Sequence, residues 1–168
     1  YALSLLSIIL GGNMSSRLFI SVRERNSLAY YIHTSADATT DTGYLVTQAG
    51  IKNESLEKAV GLILKEYRDL KNKNITPREL KKAKDYVRGT MALSLDGSDA
   101  QASFYATQEV MEHTMISPEE KLKLLDKVSI RDIKKVAEEI FQPGGLNLSV
   151  IGPIEEKEKE KLQSLLKL

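Results

Sequence analysis

A chain of 168 residues with ordinary apolar and charged content is enough for one domain with its own core. Lys plus Arg number 24 against 23 Asp plus Glu, a net charge of +1, so the composition carries no electrostatic footprint for nucleic acid. There is no Cys, which excludes disulfides and thiolate metal sites and leaves the redox compartment undecided, and no stretch approaches a membrane-spanning length.

Helical patterning starts at once, with Leu3, Leu5, Leu6, Ile9 and Leu10. Ala2–Leu10 reads as a helix stopped by Gly11-Gly12. It lacks a basic leader and a small-residue cleavage site, so it does not read as a signal peptide, and a cytoplasmic setting is the expectation. A chain that begins inside an element is expected to continue upstream of Tyr1. Ser15–Arg25 reads as a second helix capped by Ser15 or Ser16, with Leu18, Phe19 and Val22 inward. A turn at Asn26-Ser27 leads into a strand, 28–38, and a polar loop leads to a second strand, 44–51, as an antiparallel hairpin.

Helices follow. Glu54–Asn72 is expected to be capped by Asn53, with Leu56, Ala59, Val60, Ile63, Tyr67 and Leu70 inward. Thr76-Pro-Arg-Glu79 is a capping box opening a long helix to about Leu95, with Leu80, Ala83, Val87, Thr90 and Met91 inward. Ser98-x-x-Gln101, Ser117-Pro-Glu-Glu120 and Ser129-Ile-Arg-Asp132 repeat the device for three more helices. Leu146–Ile151 alternates like a strand, and Glu155–Leu168 is a charged terminal helix. Segregated strands and helices predict an α+β domain over 1–168, with helices on one face of a mainly antiparallel sheet.

The run Leu10-Gly-Gly-x-Met-Ser-Ser-Arg-Leu-Phe19, then Val22-Arg-Glu24, then Leu28-Ala-Tyr30, resembles the second, C-terminal half-domain of the pitrilysin/insulinase zinc peptidases. That family includes the mitochondrial processing peptidases and the bc1 core proteins. Thr76–Ala83 and Ser129–Pro153 are similar to its central helix and closing helix-strand unit, so the likeness covers nearly the whole chain. Asn13 stands where a third Gly is common, and Arg25-Asn26-Ser27 where Lys-Arg-Gly is common. The family's half-domain has a strand before the first helix, so the likeness implies that the first strand or strands lie upstream of Tyr1.

The resemblance implies a division of labour. Family members cut peptides with a zinc ion held by His-x-x-Glu-His in the other half. This chain has His33 and His113 only, far apart and without motif spacing, so no metal site is assigned to it and zinc is expected in a partner half. Arg23 and Tyr30 match the positions that contact substrate backbone across the chamber. A guanidinium fork and a phenol hydroxyl both suit a carbonyl oxygen or an anion. Read from the residues alone, alternatives stay open: Arg23 as a helix residue paired with Glu24 or Asp37, and Tyr30 as plain core on the strand face of Ile32, Thr34 and Ala36. The expectation is a substrate-binding half, inactive alone, that acts on peptides with a zinc-bearing half on the same chain or in a separate subunit. The alternative is a noncatalytic structural subunit of the same fold. A dimer or other assembly covering the sheet edge is expected. Neither nucleic acid nor a membrane is expected as a partner.

Overall fold

The computed structural model describes residues 1–166. Helix α1, Ala2–Ser7, does not stop at the glycines but widens into a π-helix over Ile8–Gly12. No glycine takes a positive φ, so Gly11 is not a left-handed helix terminator. Its role is close approach: a Cβ there would lie 2.2 Å from Thr34 Oγ1. After a turn, the chain re-enters helix at Arg17 and forms a second π-helix, Phe19–Glu24. The expected Ser15 or Ser16 side-chain cap is replaced by Asn13, whose Oδ1 accepts from the Ser15 N–H (2.8 Å) and Ser15 Oγ (2.9 Å).

Strands β1, Ala29–Ala38, and β2, Gly43–Ile51, pair antiparallel as a hairpin. Ile32, Thr34 and Ala36 oppose Ala49, Thr47 and Leu45 on the face that meets the helices. On that face Tyr67 donates to Thr47 Oγ1 (2.7 Å), which in turn bonds Thr34 Oγ1 (2.7 Å). The Tyr67 ring stacks on Phe141 at 4.6 Å. The hairpin is thereby tied through a buried hydroxyl chain to the helices behind it.

Helix α2, Leu56–Asn72, starts from a 3₁₀ turn at Asn53–Ser55 rather than from an Asn53 side-chain cap, and buries Leu64 as well, with the expected Ile63 half-buried against the core. Helix α3, Pro77–Ser94, has the full capping box at Thr76 and Glu79, and so do α5, Pro118–Asp126, and α6, Ile130–Ile140. Thr90 is exposed and its hydroxyl donates back to the Tyr86 carbonyl (2.9 Å), so the inward face of α3 fades after Ala83. Helix α4, Ser98–Glu112, has Gly97 as its cap; the Gln101 side chain donates to the Leu95 carbonyl instead of closing a box. Helix α7, Glu156–Leu165, packs Leu162 toward α2. The rest of the expected terminal helix, 167–168, lies outside the described residues.

One expected strand does not form. Residues 146–151 run without ladder partners, and Ile151 is fully exposed. Alternation of Leu146, Leu148 and Val150 supplies a strand pattern but not a neighbouring strand. The architecture is α+β, with the hairpin's inner face on a core of Leu5, Leu6, Leu10, Leu18, Val22 and Ile133, and its outer face open. No helix among the described residues is long and apolar enough to cross a membrane.

Candidate functional site

Arg23 lies near the end of the second π-helix. That helix closes through a bond from the Arg25 N–H to the Ile20 carbonyl five residues back (2.9 Å). Its guanidinium carbon stands 4.8 Å from the centre of the Phe19 ring, a cation–π contact on the helix's own surface. Among the described residues it makes no ion pair with Glu24 or Asp37, and the residue is exposed.

The turn that follows is built in detail. Asn26 Nδ2 donates to the Ser21 carbonyl (2.8 Å), and the Ser27 and Leu28 N–H groups donate to the carbonyls of Arg23 and Val22 (both 3.0 Å). Ser27 has φ 51°, in the left-handed region that a glycine enters freely and a serine enters at a cost. The positive φ gives a physical reason for the glycine that the family commonly carries at this place.

Tyr30 is released from the core by a β-bulge. Ala29 opposes Ile51 and Tyr31 opposes Gly50, so Tyr30 is an extra residue on β1. Continued alternation from Ile32 and Thr34 would turn Tyr30 inward. Ala29 takes the buried place instead, and Tyr30 is 87 % exposed. The reading of Tyr30 as plain core is therefore overturned. The structure brings two flanks of one tight turn to the surface, the Arg23 side chain on one and the Tyr30 side chain on the other. Sequence reasoning missed the bulge. No local signal marks it, since a regular strand would place Tyr30 and Tyr31 on opposite faces in any case.

The residues here do not fit zinc. His33 is exposed on the outer face of β1, and His113 is the left-handed terminator of α4 with φ 50°. Among the described residues no three His, Cys, Asp or Glu side chains are grouped to hold a metal ion.

Behind the turn, Arg17 Nε donates to Glu79 Oε1 at 2.7 Å, fastening the second π-helix to the start of α3. Burial pulls the Glu79 carboxyl up, but the Arg17 bond, the Thr76 N–H and the nearby guanidinium charge outweigh it and hold the group below its ordinary value.

The sequence model of a family described as "Peptidase M16 inactive domain" matches residues 1–87. YmxG of Bacillus subtilis (strain 168), described as an uncharacterized zinc protease, is 30 % identical over 141 residues, covering 84 % of this chain and 34 % of its own length. YmfF of the same organism, described as a probable inactive metalloprotease, is 29 % identical over 83 % of this chain and 32 % of its own length. The crystal structure of a conserved protein from Enterococcus faecalis V583 superposes with a TM-score of 0.73 at 31 % identity, over 82 % of this chain and 32 % of that one. The chain spans about a third of the length of the curated relatives it matches.

Proposed function

The chain belongs to the M16 peptidase family, as its C-terminal, non-zinc half-domain, and from that premise we propose that it is the substrate-binding half of a zinc-dependent endopeptidase acting on peptides. Arg23 and Tyr30 are its gripping residues. Their donors bind a backbone carbonyl of an extended peptide, orient it, and hold it while a zinc-bearing half, on the same polypeptide or in a partner subunit, supplies the hydrolytic centre. The observation that carries the reading is the exposure of Tyr30 by a bulge, directly after the turn that follows Arg23. A guanidinium resting on an aromatic ring is positioned without a carboxylate partner, so its outward N–H groups remain available to an acceptor.

A preorganised donor aimed at developing charge is worth roughly 3 kcal/mol in hydrolases, or about a hundredfold in rate. In the chain assembled with its zinc-bearing half, Arg23→Ala and Tyr30→Phe are each expected to lower kcat/KM for peptide cleavage by about that factor. Unchanged turnover in both variants overturns the reading. The chain alone is expected to show no peptide hydrolysis with or without added zinc; robust zinc-dependent cleavage by it would also overturn the division of labour.

A second reading, a noncatalytic subunit of the same fold, has the likeness to a probable inactive metalloprotease in its favour. An assembled complex with no peptidase activity and no response to these substitutions would select it.

A further inference from the structure

The outer face of the hairpin carries a second set of side chains beside Arg23 and Tyr30. Tyr31, His33 and Asp37 project from β1 on the side away from the helices, opposite Gly50, Gln48 and Tyr44. Tyr31 is 51 % and Tyr44 60 % exposed. The Tyr31 ring lies against the bare backbone of Gly50, where a Cβ would meet its Cε1 at 2.5 Å. One ring face is thereby set on the sheet and the other is presented outward.

The two ends of this strip differ in charge. The bulge end adjoins the turn with Arg23 and Arg25, with Glu24 between them. The far end carries Asp37 and Asp41, and 36–44 contains no cation. Neither aspartate is in an ion pair among the described residues. Asp37 opposes Tyr44 across the hairpin, and its carboxylate, by hydrogen bonding and charge, pushes that phenol up.

We infer that this face is a docking strip for the unreacted part of an extended peptide substrate, with aromatic or apolar side chains seated at Tyr31 and Tyr44 and a Lys, Arg or amino terminus at Asp37 and Asp41. From Tyr31 to Asp37 the strip is roughly 20 Å long at the usual strand rise, room for about seven peptide residues. Aromatic faces take apolar and cationic side chains without demanding one sequence. The acidic end then fixes which end of the peptide lies farthest from Arg23. The inference rests on the proposed substrate-binding role and extends it to specificity.

The test measures binding to the full chain by NMR chemical-shift mapping and fluorescence anisotropy. Two labelled probes of about seven residues share a Tyr-Phe-Tyr centre and differ only in a Lys or a Glu tail. The Lys-tailed probe is expected to bind roughly threefold more tightly, with shifts at Tyr31, His33 and Tyr44. In the double variant Asp37→Lys, Asp41→Lys the preference is expected to invert, and Tyr31→Ser is expected to weaken both probes by about threefold to tenfold. No binding, shifts that map elsewhere, or a preference unaltered by the charge reversal overturns the inference. Its failure is separable from that of the gripping role. Arg23→Ala and Tyr30→Phe report on turnover in the assembled enzyme, whereas the tail preference is read without catalysis.

Discussion

Among the glycines, Gly11 sits in the closest approach of chain to chain. A methyl group there would collide with the Thr34 hydroxyl, which is itself bonded to Thr47 and through it to Tyr67. Gly11→Ala is therefore expected to lower stability by about 1–3 kcal/mol, read from the urea midpoint at constant slope. Ser27 offers the opposite sign. Its left-handed φ carries a strain that glycine lacks, so Ser27→Gly is expected to leave stability unchanged or raise it by up to about 1 kcal/mol once the extra freedom of the unfolded chain is counted. Glu79 gives a pH signature. Its carboxyl titrates below the ordinary value of 4.5 in the folded chain, so the folded state favours the ionised form. The stabilisation it brings is present above that value and is lost as the pH falls through the folded pKa. Wild-type and Glu79→Gln midpoints should differ at neutral pH and converge in acid; a constant difference would show that the charge is not involved.

At the scale of elements, two departures from regular geometry position the candidate site, a π-helix under Arg23 and a bulge under Tyr30. Deleting Ala29 should remove the bulge and force Tyr30 into the buried place that Ala29, a much smaller residue, fills. The expected outcome is a loss of stability of more than about 1 kcal/mol, together with loss of Tyr30 exposure to iodination or solvent quenching. The local signals in the sequence worked where local chemistry is sufficient. Thr76, Ser117 and Ser129 close their boxes because each finds an acidic side chain three residues on and a proline or an apolar run behind it. They failed where tertiary context decides. Gln101 turns back to the carbonyl end of α3, Asn53 is absorbed into a 3₁₀ turn, and residues 146–151 have a strand's pattern without a partner. The setting of Arg23 and Tyr30 in a familiar motif was legible. The bulge that turns Tyr30 outward was not, because strand alternation alone predicts the inward side.

At the scale of the molecule, the helices cover one side of the hairpin and leave apolar surface elsewhere. Leu93 is 82 % and Val110 70 % exposed, and residues 146–151 run unpaired. Such surface favours association, and light scattering at rising concentration is expected to report a mass above that of one chain. A constant monomer mass would remove that expectation. The bulge and the π-turn share one further property: each is a regular element carrying a single surplus residue. On the proposed peptide-binding role, a lineage that abandons that role has a short route to a regular strand or helix, the loss of one codon. The reading frame of a relative that has shed either surplus residue would be a written record of the trade given up.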